Sequence, residues 1–113
     1  MADYDFYEVR LSVAEHLNTP PEVLEKLSND DYWLVLEAVA GNPKTPASIL
    51  EKLAKYENED VRRFVASNPS APTNVLIKLS KDENREVRES VAKNPNIFKE
   101  DTPQPNKSIS PTM

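Results

Sequence analysis

Few residues in this chain could do covalent or acid–base chemistry. There is one histidine, His16, and no cysteine. A single imidazole without a nucleophile, base or ligand set nearby builds no catalytic site. Asn42, Asn68 and Asn94 stand at the matching place at 26-residue intervals further on, so His16 is expected to be a variant helix C-cap. Ser12, Ser28, Ser80 and Ser90 lie on or beside apolar stripes. No His or Lys recurs with them to activate a hydroxyl, so they are expected at the edge of a core. Asp30, Asp31, Asp82, Glu83 and Glu86 make acidic loops. A calcium loop needs alternating oxygen ligands around a Gly turn, and that pattern is missing. Solvated charge ahead of a helix, where carboxylates favour the N-terminus, accounts for them. Without cysteine there are no disulfides, thiolate metal sites, Cys-ligated iron–sulfur clusters or cysteine nucleophiles. No enzymatic activity, cofactor or metal is expected.

Two other sets could bind rather than react. Arg10, Arg62 and Arg88 share one position of the 26-residue spacing, with Arg63 beside it. Stacked units would align them as a stripe for an acidic peptide or a phosphate backbone. The alternative is a structural ladder with Asp60, Glu86 and Glu89, since acids flank nearly every Arg. The second set is aromatic. Phe6 and Tyr32 share one position, and Tyr7 and Trp33 share the next. Phe6 falls on the buried stripe, as core or cap. Trp33 can reach Leu36 at i+3, and Tyr7 can reach Leu11 at i+4. Leu36 replaces an Arg of the other units, and Leu11 replaces Glu37, Arg63 and Glu89. Tyr7, Leu11, Trp33 and Leu36 are therefore expected to form one exposed apolar patch, either an interface or a cover for the end of the array.

The elements that must position these residues come from one repeated motif. Val-Arg-x-x-Val-Ala-x-Asn-Pro runs from Val61 to Pro69 and from Val87 to Pro95. It recurs with Leu for Arg from Val35 to Pro43, and in degenerate form from Val9. Starts at 9, 35, 61 and 87 mark a solenoid whose units share a core. Each unit splits into two apolar-periodic segments. Segment A buries Val9, Val13 and Ala14 and their equivalents through Val87, Val91 and Ala92, with Ala38 and Phe64 adding to the stripe. Segment B buries Val23, Leu24 and Leu27; Ile49, Leu50 and Leu53; Val75, Leu76 and Leu79. Both spacings are helical.

The stops and starts are equally regular. Asn42-Pro43, Asn68-Pro69 and Asn94-Pro95 end segment A, because the residue before Pro leaves the helical region. Pro20, Pro46 and Pro72 open segment B, where a missing N–H costs nothing. Thr19 and Thr45 are expected to be N-caps, and Thr19 with Glu22 has the spacing of a capping box. Helices this short are marginal alone, so stacking must hold them. The expected domain is residues 1–98, with units starting near 9, 35 and 61 and a partial capping unit near 87. Ile97 and Phe98 should cover its C-terminal edge. Residues 99–113, rich in Pro, Ser, Thr and Asn, are expected to be a disordered tail.

The repeated unit Val-Arg-x-x-Val-Ala-x-Asn-Pro-x-x-Pro-x-x-Val-Leu-x-x-Leu-Ser resembles the leucine-rich repeat variant family over roughly residues 9 to 96. The resemblance implies an all-α, right-handed solenoid of alternating short α- and 3₁₀-helices. The unit here is slightly longer than the family norm. The Cys-bound iron–sulfur domain of some members is missing, so no redox role carries over. HEAT repeats share the Asp60-Val61-Arg62 character, but their unit of about 40–47 residues does not fit.

Taken together, the chain reads as a non-enzymatic scaffold that binds another protein, as a monomer or weak dimer. A nucleic-acid binder using Arg10, Arg62 and Arg88, and a small acidic inhibitor of a basic partner, are the alternatives. Net charge of −5 disfavours long nucleic acid. No signal peptide or bilayer-spanning run is seen, and a reducing cytoplasm fits the lack of cysteine. A chain ending at Lys99 is expected to keep its helical circular dichroism and its thermal midpoint. Loss of cooperative melting on that truncation would contradict the compositional argument.

Overall fold

A computed structural model describes residues 7–99. These form eight helices and no strand. Segment A becomes α1 (Tyr7–Glu15), α3 (Trp33–Gly41), α5 (Glu59–Ser67) and α7 (Arg85–Lys93). Segment B becomes α2 (Pro21–Leu27), α4 (Ala47–Leu53) and α6 (Thr73–Leu79). A single turn, α8 (Asn96–Lys99), follows and packs on α6. Consecutive A helices stack in one row, and each B helix packs between the A helices before and after it. Phe6 and the expected tail beyond Lys99 lie outside the described residues.

The core is the shared seam of these rows. Val35, Val39, Leu50, Val61, Val65, Leu76 and Val87 are fully buried, and Ile49, Leu53, Val75 and Leu79 nearly so. The end units depart from the expected pattern. Val9, expected in the core, is 59% exposed, whereas its equivalents Val35, Val61 and Val87 are covered. Each of those three has a preceding A helix to lie against; Val9 has none among the described residues. Val13, Val23 and Leu27 are half-buried for the same reason, and Ala92, at the other end, is exposed. Ala38, Phe64 and Ile97 are half-buried against the core.

The B helices are α-helical rather than 3₁₀. Leu24, Leu50 and Leu76 each donate an i→i−4 bond to Pro20, Pro46 and Pro72, at 3.1 Å in all three. The prolines are themselves the N-caps, in extended backbone with no side-chain cap bond. Thr19 and Thr45 are therefore not N-caps, and no Thr19–Glu22 box forms. Their hydroxyls turn backwards instead and donate to Val13 O at 2.6 Å and Val39 O at 2.7 Å. They add a second bond to carbonyls at the end of the preceding A helix, which also accept the N–H of His16 and Asn42 at 3.2 Å. Ala71, buried, takes this place in the third unit.

The strongest links between units are made by Asn42, Asn68 and Asn94, which are 2, 1 and 3% exposed. Asn42 Nδ2 donates to Ala14 O at 2.8 Å and His16 O at 3.0 Å. Asn68 donates to Ala40 O and Asn42 O at 2.7 and 2.9 Å. Asn94 donates to Ala66 O and Asn68 O at 2.8 and 2.9 Å. Each Oδ1 accepts the N–H two residues on, from Lys44, Ser70 and Asn96. One buried amide thus closes its own turn, pairs the Ala14, Ala40 or Ala66 carbonyl of the previous unit, and adds a second bond to a carbonyl that already accepts the N–H of Thr19, Thr45 or Ala71. His16, at the head of this row, needs only the local half. Its Nδ1 accepts the Asn18 N–H at 3.0 Å, and the exposed ring has no preceding A helix to reach among the described residues.

Two kinds of truncation should separate core from ladder. Leu50→Ala is expected to cost on the order of 2–5 kcal/mol in chemical denaturation. Asn68→Ala should cost about 1–3 kcal/mol by leaving the buried Ala40 carbonyl unpaired. His16→Asn should stay within about 0.5 kcal/mol of wild type, as surface changes do. Equal effects at positions 16 and 68 would contradict the ladder.

Candidate partner-binding faces

The arginine positions are built as struts. Arg10 Nε and Nη2 donate to Asp30 at 2.7 and 3.3 Å. Arg62 makes the same fork to Asp82 at 2.8 and 3.0 Å. Arg62 Nη1 also donates to Tyr56 O and Glu57 O. Both carboxylates cap the following turn, Asp30 from Tyr32 N–H and Asp82 from Asn84 N–H. The partners are thus Asp30 and Asp82, twenty residues on, rather than Asp60, Glu86 and Glu89. Asp60 pairs with Arg63, and Glu89 pairs with Arg85. Arg88 is exposed and donates to Asp82 O at 2.6 Å.

The expected aromatic patch divides. Leu36 is 1% exposed and belongs to the core, so it cannot be part of a surface. It stands where Arg10 and Arg62 stand, and Tyr56 stands where Asp30 and Asp82 do. The middle unit has exchanged both halves of the ion pair for apolar groups. Leu11 lies on another face, in a recess with Leu34, Ala38 and Phe64. Tyr7 and Trp33 remain together on the surface at 37 and 40% exposure.

Tyr32, which shares the repeat position of Phe6, lies half-buried against the core beneath them. Its ring meets Tyr7 edge-on at 4.8 Å and Trp33 at 6.5 Å. Tyr32 is the N-cap of α3 but makes no side-chain cap bond. At the same repeat position Asn58 and Asn84 cap α5 and α7 through Oδ1. A cap of this kind contributes about 1 kcal/mol. The second unit forgoes it and gains an aromatic cluster. Exposed Asp31 lines recesses on both sides of the cluster. One, of about 310 Å³, holds Tyr7, Arg10 and Tyr32; the other, of about 680 Å³, holds Trp33, Lys55 and Tyr56. Tyr56 is 37% exposed and was missed in the sequence. Its signal was there: an aromatic where the repeat carries Asp.

The remaining polar candidates are occupied in local structure. Ser28 and Ser80 donate to Glu25 O and Ile77 O at the ends of α2 and α6. Among the described residues no three His, Asp or Glu side chains converge as a metal set. Nor is any helix among them long and apolar enough to cross a membrane.

The stacked pairs define a helical repeat array. The family model for the leucine rich repeat variant matches residues 7–31, which span one A–B pair. Over those residues the chain is similar to a leucine rich repeat variant, in agreement with the motif that recurs along the chain. No curated protein and no solved structure matches the chain.

Asp82 ties the strut to pH. Burial pushes its carboxyl up, but hydrogen bonds from Arg62 and Asn84 outweigh this and hold it below the usual carboxylate range. A depressed folded pKa contributes stability above the ordinary value near about 3.9, and that contribution is lost as pH falls through the lower folded value. Asp82→Asn should therefore destabilise the fold at pH 7, and its melting point should converge with wild type below about pH 3–4. A constant difference down to pH 2 would contradict the strut.

Proposed function

We propose that the protein is a non-enzymatic scaffold that binds another protein, with Tyr7, Tyr32 and Trp33 as the anchor. The observation that carries this is the aromatic cluster at a helix start where later units place capping Asn. The capping Asn is replaced there by Tyr32, half-buried against the core, which backs the exposed rings of Tyr7 and Trp33, and Tyr and Trp are enriched among interface anchors. Arrays of short helices suit this work because they present extended faces. We take the array to be a right-handed superhelix of 26-residue units, working in the cytoplasm as a monomer or weak dimer. The nucleic-acid reading loses support, since the Arg10 and Arg62 forks that would grip phosphate are already turned onto carboxylates.

Trp33→Ala is the direct test. As an interface residue it should leave the thermal midpoint within a few degrees of wild type. The variant should lose a protein that the wild-type chain captures from its source cell, identified by mass spectrometry. Iodide should quench Trp33 fluorescence in the free chain. A loss of about 3–5 kcal/mol, typical of buried aromatic truncation, together with protection from iodide, would show that the ring is a structural cover instead.

A further inference from the structure

Four departures from the repeat converge on one groove, away from the aromatic cluster. Leu11 stands where later units carry Glu37, Arg63 and Glu89. Leu34 stands where the others carry Glu8, Asp60 and Glu86. Phe64 replaces Ser12, Ala38 and Ser90, and Gly41 replaces Glu15, Ser67 and Lys93. These residues come from three successive A helices, yet they line two adjoining recesses of about 150 and 200 Å³. Gly41 and Phe64 depend on each other. A Cβ at position 41 would stand 3.2 Å from Phe64 Cδ1, tight enough that the ring would have to shift.

The charged groups lining both recesses are Glu15 and Glu37. Neither has an ion pair or hydrogen bond to another side chain among the described residues. The nearest cation, Arg63, is held by Asp60 at 3.1 Å and lies over the Phe64 ring at 5.5 Å. Burial, and then Asp60, push the Glu37 carboxyl up, with Arg63 opposing them. The groove therefore has an apolar floor and an anionic rim that Arg63, already paired with Asp60, offsets only in part. Lys and Arg match that pair of demands, since each lays an aliphatic stem on apolar surface and carries a charge at its tip.

We infer that this groove binds a basic, partly apolar segment of a partner protein, with one Lys or Arg stem against Phe64 and Ala38 and its cation between Glu15 and Glu37. The inference rests on the protein-binding reading but uses a different face. It can therefore fail without the aromatic anchor failing.

Gly41 supplies the reporter, because the chain has a single glycine and one glycine amide signal. The full chain, labelled with ¹⁵N, is titrated with a synthetic Lys/Leu amphipathic peptide and, separately, with its Glu/Leu counterpart. Expected is a saturable shift of the Gly41 amide with the Lys peptide and none with the Glu peptide. Glu15→Gln/Glu37→Gln should weaken that binding at least tenfold while keeping the wild-type helical spectrum and a melting point no lower than wild type. Trp33→Ala should leave it unchanged. An unmoved Gly41 amide, an equal response to both peptides, or full binding by the double variant would overturn the groove. Movement of the Trp33 indole signal alone would also overturn it, while leaving the aromatic face as the binding surface. Should the double variant misfold, the Glu15→Gln chain alone is read against the same two peptides.

Discussion

Everything in this array hangs on how a very short helix disposes of its last carbonyls. An A helix of nine residues has few internal hydrogen bonds and ends at an Asn-Pro step that cannot continue it. The Asn amide solves this across units. Its Nδ2 donates to one carbonyl in the preceding A helix and one at that helix's C-cap, while its oxygen closes the next turn. A buried amide with all three bonds made costs little, whereas a broken one leaves several groups unpaired at once. The ladder therefore sets the spacing of the units, and the Val and Leu seams pack at the spacing it permits. The Arg–Asp struts add a second, partly exposed tie on the other side of the loops.

Such a frame leaves the outward positions free to vary. Where this chain departs from its own repeat, the changes fall into two faces rather than scattering. At the start of α3, an Asn cap gives way to Tyr32, and Tyr7 and Trp33 gather around it. Along α1, α3 and α5, Leu11, Leu34, Gly41 and Phe64 build a groove between two carboxylates. The middle unit also drops its ion pair for Leu36 and Tyr56. A charged pair can be replaced by apolar groups without loss when both members change together.

Much of this was legible before any coordinate. The Val-x-x-x-Val-Ala and Val-Leu-x-x-Leu stripes, and the Asn-Pro stops, located α1 to α7 because periodicity and proline act locally; the single turn α8 carries neither signal. The errors share a cause as well. Val9 and Ala92 carry the pattern of core residues, but their burial depends on a neighbouring helix, which a stripe does not report. Thr19 and Thr45 look like caps for the helix that follows, yet they serve the helix that precedes. Spacing alone could not tell which carbonyl lay within reach. Leu36 reads as a surface residue because its equivalents are charged, but two of those, Arg10 and Arg62, are themselves largely covered, so the same position holds an apolar side chain in the core.

The sequence by itself determined the architecture, since a strict interval with helix stops at fixed positions admits stacked helical pairs and little else. It also narrowed the chemistry, because a chain without cysteine forms no disulfide and no thiolate site. Only the tertiary structure decided which departures from the repeat belong together. Leu11 and Phe64 are 53 positions apart in the chain, and Tyr7 and Tyr32 are 25 apart. They meet because stacking sets successive A helices side by side, which turns distance along the chain into adjacency across the array.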